Sequence, residues 1–168
     1  MLEAFQAGLS WLTVLRKRQA FRAAFRGFDP EVVARFTARD ESRLLRDPGI
    51  IRNRAKIDAT INNARRLGDV VKEFGSFAAY AWQYEPKTRQ KSLGPTPEAV
   101  ALSKDMRKRG WTFVGPTTVH SFMESAGLVN DHVGGCAWWA EVERLRRAFK
   151  RPAPRHRLDP GIGKAEFA

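Results

Sequence analysis

In RGWTFVGPTTVHSFMESAG, residues 109–127, a glycine turn separates two segments of helical character, and the second opens on Gly115-Pro116. A helix starting there leaves its first backbone N–H groups without intrahelical partners, and the helix dipole adds partial positive charge at that end. Both effects favour a phosphate. Thr117 and Thr118 add hydroxyl donors, and Lys104, Arg107, Lys108 and Arg109 lie just upstream. The same spacing suits an ordinary pair of helices packed in a core, so spacing alone leaves both readings open.

A second stretch, NDHVGGC at 130–136, sets His132 and Cys136 four residues apart, a usable separation for two ligands of one zinc ion. A structural zinc needs four ligands, yet the other histidines are His120 and His156, and Cys136 is the single cysteine. By residue type alone, a buried histidine and a buried thiol are the plainer reading. A third candidate lies in the opening stretch MLEAFQAGLSWLTVLRKR, where Trp11 follows Glu3 by two helical turns. A carboxylate near an indole can hold a flat cationic ligand, the ring face attracting charge and the carboxylate accepting N–H protons. A lone glutamate near a helix start is otherwise explained as a solvated residue that suits the dipole. No Ser/His/Asp spacing, zinc-protease motif, phosphate loop or dinucleotide fingerprint occurs, so nucleotide-driven chemistry is not indicated.

The elements that position these residues read as helices. Leu2, Phe5, Leu9, Leu12 and Leu15 predict one core-facing helix running to about Arg18, with no capping residue ahead of it. QAFRAAF adds a short second helix. Asp29 and Pro30 fit the cap and first position of the next. Asp40 opens a short helix that DPG at 47–49 ends. IIRNRAKIDATINNARRL is a longer helix, with Ile50, Ile57 and Ile61 inward and Gly68 as its stop. Short aromatic pieces from Phe74 to Trp82 break near Gly75, and EPKTRQKSLGPTP at 85–97 reads as the longest loop. Thr96-Pro97-Glu98 restarts a helix that stops at Gly110, Pro116 begins one that Gly127 closes, and AWWAEVERLRRAFK is the last. No convincing period-2 strand or internal repeat is found. The predicted fold class is all-α, a multi-helix domain.

A chain of 168 residues suits one domain with a real core, and 43% hydrophobic residues argue against disorder. No apolar run approaches the roughly 20 residues that span a bilayer, and no charged-then-apolar leader opens the chain. One cysteine excludes an internal disulfide and fits a reducing cytoplasm. Thirty Lys and Arg against eighteen Asp and Glu leave a net charge of +12, which points to a polyanion, with nucleic acid preferred over a merely soluble surface. Between Arg144 and Arg157 stand seven basic residues and no acidic one. With the following residues this reads as a solvated basic tail, and an electrostatic assist to DNA binding is the lesser reading.

Taken together, EAFQAGLSWLTVLRKR at 3–18, FDPEVVA at 28–34, DPGIIRNRAKIDATINNAR at 47–65 and LSKDMRKRGWTFVGPTTVHSFMESAGLVNDHVGGC at 102–136 resemble the DNA-3-methyladenine glycosylase I family of bacterial base-excision enzymes. The stretch from Tyr80 to Trp82 matches less sharply, and the resemblance covers about residues 2–136. It implies a helix-hairpin-helix DNA glycosylase domain over 1–136, followed by an extra helix at 137–150 and a basic flexible tail at 151–168. It also implies hydrolysis of the N-glycosidic bond of 3-methyladenine in double-stranded DNA carrying alkylated bases. The expected protein is a cytoplasmic, nucleoid-associated monomer with no membrane partner. The glutamate of the family motif E-x-x-Q-A-G-L-S-W falls on Glu3, in the catalytic and base-recognising role, and its tryptophan falls on Trp11, which stacks on the base. The hairpin would grip the DNA backbone through Gly115, Thr117 and Thr118, with Lys108 and Arg109 beside them.

His132 and Cys136 match the C-terminal half of a family zinc site. Related helix-hairpin-helix glycosylases carry a catalytic aspartate near the position of Asp131, which here reads instead as a capping or loop hydrogen-bonding residue. Family members open roughly 35 residues earlier, with a cysteine and a histidine that complete the zinc site and aromatics that wall the base pocket. A chain beginning at Met1 is therefore expected to keep Glu3 and Trp11, to carry an incomplete zinc set, and to bind DNA with weak or no turnover. The alternative is a truncated, non-catalytic helix-hairpin-helix DNA-binding protein.

Overall fold

The computed structural model describes residues 1–87, 94–133 and 135–158. Among these, every regular element is helical, so the fold is all-α. The chain forms two compact units, one of Met1–Asp69 with Arg107–Val114, the other of Val70–Met106 with the residues from Gly115 onward.

In the first unit the apolar opening is two helices, where the spacing predicted one. Gly8 takes φ +78. Ser10 then caps a new start, its hydroxyl accepting from the Thr13 N–H at 3.3 Å. The result is α1 (Leu2–Gln6) and α2 (Trp11–Arg16). The expected core stripe is lost with the break: Phe5 and Val14 are buried, while Leu9, Leu12 and Leu15 are exposed. Helix α3 (Arg18–Ala24) supplies Phe21. Its ring centroid lies 4.5 Å from that of Phe5, and Phe25 continues the cluster to Phe28 and Phe36. Full burial of each such side chain is worth about 1.5–3 kcal/mol.

Helix α4 (Pro30–Ala34) begins as predicted, Asp29 Oδ1 accepting from the N–H groups of Glu31 and Val32. Helix α5 (Ala38–Arg46) starts ahead of Asp40, with Thr37 as cap and Asp40 reaching back to the Thr37 N–H at 3.0 Å. Helix α6 (Arg54–Phe74) starts after Ile50, with Asn53 Oδ1 accepting from the Lys56 N–H. It passes through Gly68, the expected stop, and ends before Gly75, whose φ is +89. An interior glycine costs about 1 kcal/mol. Burial of Val70 and Phe74 beyond it outweighs that.

In the second unit, Ser76 caps α7 (Phe77–Ala81), and the buried Tyr80 hydroxyl donates to Asp105 at 2.7 Å. Helix α8 (Pro97–Lys108) is capped by Thr96, whose hydroxyl accepts from the Ala99 N–H. The middle of the loop expected at 85–97 lies outside the described residues. Helix α9 (Pro116–Ser125) closes at Gly127, with φ +76 and a Leu128 N–H bond to the Met123 carbonyl at 2.8 Å. Arg146, on α10 (Ala137–Ala148), donates to the carbonyls of Gly127 and Leu128 at 2.8 Å each. Residues 151–158, expected as the start of a flexible tail, are held: the Arg155 N–H donates to the Phe74 carbonyl at 3.1 Å and the Leu158 N–H to Gln83 Oε1 at 2.8 Å. The rest of that stretch lies outside the described residues.

Candidate active site

Glu3 stands in the first turn of α1, half-buried. What fixes this short helix is Lys56, a buried lysine whose Nζ donates to the Phe5 carbonyl at 2.9 Å and the Ala7 carbonyl at 2.5 Å. These are carbonyls at the C-terminal end of α1, where a cation is favoured. Burial holds the Lys56 amine below its ordinary pKa. Directly after Ala7, Gly8 takes its left-handed conformation and Ser10 caps α2, so Trp11 is the first residue of α2, and it is 38% exposed. One unit thus carries a half-buried carboxylate and an open indole on consecutive helices. A carboxylate accepts N–H bonds and favours positive charge, and an indole face offers stacking to a flat ring.

The turn before α9 is clamped from α6. Asn63, almost fully buried, donates to the Thr112 carbonyl at 2.8 Å and accepts from the Thr112 N–H at 2.9 Å. Asn62 adds a bond to the Gly110 carbonyl at 2.8 Å. Phe113 then takes φ +53, a conformation L-residues rarely adopt. Lys108 is exposed and Arg109 half-buried in this unit. In the other unit α9 starts on Gly115 and Pro116 with no side chain capping it, Thr117 exposed and Thr118 half-buried. That is an anion-favouring helix end.

His132 Nδ1 and Cys136 Sγ lie 3.5 Å apart. Zinc bonds of about 2.3 Å to sulfur and about 2.0–2.1 Å to nitrogen, at a tetrahedral angle, demand an edge of about 3.6 Å. The pair therefore fits as two ligands of one zinc ion. His132 is exposed and Cys136 half-buried, in place of the buried pair that residue type alone suggested. The remaining histidines do not join them. His120 is buried with Nε2 at 2.8 Å from Asp131 Oδ2, and His156 packs on the Phe74 ring. Among the described residues, the one group of three possible ligands is His120, Glu124 and Asp131. Asp131 is thus a hydrogen-bonding partner of α9.

Lys56, Asn62 and Asn63 were not foreseen, and no local signal marks them, since each acts on backbone groups some 50 positions away. A helical domain with an opening carboxylate–indole pair and an anion-favouring hairpin end defines a class: residues 1–139 match the methyladenine glycosylase family, and the chain belongs to that family. It is 46% identical over 143 residues to the DNA-3-methyladenine glycosylase 1 of Escherichia coli strain K12, covering 80% of this chain and 76% of that protein. It is 41% identical over 144 residues to the DNA-3-methyladenine glycosylase of Haemophilus influenzae strain Rd, covering 80% and 77%. The solved structure that addresses 3-methyladenine recognition by the Staphylococcus aureus 3-methyladenine DNA glycosylase I aligns with a TM-score of 0.75 at 38% identity, over 81% of this chain and 77% of that one.

Proposed function

We propose that the chain excises 3-methyladenine from alkylated duplex DNA by hydrolysing its N-glycosidic bond. The observation that carries this is the family match over residues 1–139, which runs through the α1–α2 pair and the hairpin alike. The chemistry suits the lesion. A base methylated at N3 is positively charged while attached to the sugar, so it is already a good leaving group and needs little acid catalysis. The protein's task is to extrude the nucleotide, at a few kcal/mol of unstacking, and to hold the base while water attacks. In this reading Glu3 accepts the N–H bonds of the flipped base and favours its charge, while Trp11 stacks on its face. Normal bases lack that charge and are rejected. Gly115, Thr117 and Thr118 hold a DNA phosphate at the start of α9, and Lys108 and Arg109 add charge along the backbone.

His132 and Cys136 supply two ligands of a structural zinc, whose role when bound is to fix the loop ahead of α10. Metal analysis of the purified chain tests this: zinc that Cys136→Ala removes supports the assignment, and a metal-free folded chain refutes it. The enzyme acts as a monomer on chromosomal DNA in the cytoplasm, in keeping with its lone cysteine and with the absence, among the described residues, of a helix able to cross a membrane.

Release of free base from methylated duplex DNA tests the activity. A hydrogen bond to a charged group is worth about 1.5–3 kcal/mol, so Glu3→Gln is expected to slow release by roughly 10- to 100-fold with duplex affinity kept. Unchanged release by Glu3→Gln would remove Glu3 from the site. No release by a parent chain that still binds duplex would replace this reading with the non-catalytic DNA-binding alternative.

A further inference from the structure

We infer that residues 144–158 form an additional contact to the backbone of duplex DNA, outside the family match, which ends at residue 139. This rests on the DNA-directed reading above and extends it to a second surface. The argument begins with how the cations of this segment divide. Arg144 is bound to Glu141 by two hydrogen bonds, at 2.5 and 2.8 Å. Arg146 bonds Glu143 at 2.7 Å and Glu85 at 3.2 Å. Arg151 bonds Glu85 at 2.6 and 3.0 Å and lies over the Trp82 ring. Arg147 lies in the field of Glu143. These pairs engage the carboxylates of Glu85, Glu141 and Glu143. Lys150, Arg155 and Arg157 are exposed and have no carboxylate partner among the described residues.

The three uncompensated cations are not on a free tail. The Phe149 ring stacks on Trp82 with centroids 4.9 Å apart. The Arg155 N–H is bonded to the Phe74 carbonyl, and the Arg155 stem lies against Gly75. Gln83 accepts from the Leu158 N–H and donates to the His156 carbonyl at 3.4 Å. Pro152 and Pro154 restrict the chain between Lys150 and Arg155. The segment therefore presents fixed positive charge at little ordering cost on binding, which is the chemistry of a phosphate-tracking surface. It belongs to the same compact unit as Gly115, Thr117 and Thr118. A membrane surface is the competing occupant, because Leu145 and Phe149 are exposed in the same segment. It fits less well, since Phe149 is stacked on Trp82 and no run of apolar residues accompanies the cations at 150–157.

The test compares the full chain with the triple variant Lys150→Gln, Arg155→Gln, Arg157→Gln in binding to undamaged duplex DNA across a sodium chloride series. Each phosphate contact contributes about 0.9 to the slope of log affinity against log salt. The triple variant is expected to bind with a slope shallower by about 2–3 units, and to release 3-methyladenine unchanged at saturating DNA. The charge-preserving triple Lys150→Arg, Arg155→Lys, Arg157→Lys is expected to keep the parent slope, which separates charge from fold. An unchanged slope in the glutamine variant overturns the inference. So does a loss of binding to phosphatidylserine vesicles with the DNA slope intact. Either outcome with excision retained sinks this inference alone, whereas a parent chain that neither binds duplex nor excises base sinks the glycosylase reading as well.

Discussion

Asn63 shows what one buried amide can do that an apolar residue cannot. Its carbonyl and amino groups complete both backbone hydrogen bonds of Thr112, so a single side chain takes the place of a strand partner for the turn leading to α9. Removing it leaves a backbone donor and acceptor without their partner, at about 1–3 kcal/mol. Asn63→Ala is expected to lower unfolding stability by that amount and to weaken duplex affinity more than it lowers turnover at saturating DNA. Denaturant titration and a KM-against-kcat comparison read the two effects. Equal affinity in variant and parent would mean that the turn holds its shape without the clamp. Lys56 does the corresponding work for α1, and neither residue is recognisable from its neighbours in the chain. Their partners are main-chain atoms, which carry no residue type for a sequence pattern to display.

Short helices depend on their ends, and α5 shows how. The Asp40 carboxylate accepts from both the N–H and the hydroxyl of Thr37, at 3.0 and 3.1 Å. The Thr37 N–H bond, with help from Arg43, holds the Asp40 carboxyl below its ordinary pKa of 3.8. Because the folded value is the lower one, the native state binds fewer protons than the unfolded chain between the two. The stability Asp40 contributes is therefore complete above pH 3.8 and is lost as pH falls through the folded value. The stability difference between the parent and Asp40→Asn is expected to be constant from pH 7 down to about 5 and to shrink below 3.8. Denaturation at stepped pH checks it, and a difference that stayed constant to pH 2 would refute it. Most such ends were readable from the sequence, because caps act within three or four residues: Asp29 with Pro30, Thr96, Gly115 with Pro116, and Gly127 all stand where punctuation placed them. Gly8 and Gly68 misled in opposite directions. At Gly8 a regular apolar spacing concealed a left-handed turn, and at Gly68 the expected stop was carried through by the burial of Val70 and Phe74. Glu3, Trp11, His132 and Cys136 stood out as a set only through the family resemblance, since each alone has a plainer explanation.

A chain carrying +12 bears two salt dependences of opposite sign. Free in solution, its like charges repel and oppose the compact state, and added salt screens that repulsion. On DNA, the same charges would displace condensed counterions, and added salt would remove the gain. Excision should follow the second rule through encounter and affinity. Raising sodium chloride from about 50 to about 200 mM is expected to lower kcat/KM for 3-methyladenine release by at least about tenfold, with kcat nearly unchanged, because the buried Phe5–Phe21 core and the α1–α2 turn are insensitive to screening. The melting temperature of the free chain should rise over the same interval, while the extra stabilisation conferred by duplex DNA falls. Melting the chain with and without duplex at the two salt concentrations, beside the kinetics, measures both trends on one sample. If both trends were flat, the charge would serve solubility alone. If the free chain melted lower in salt while kcat/KM still fell, the cations would be paired well enough in the native fold to stabilise it, and the repulsion argument would fail at its first step.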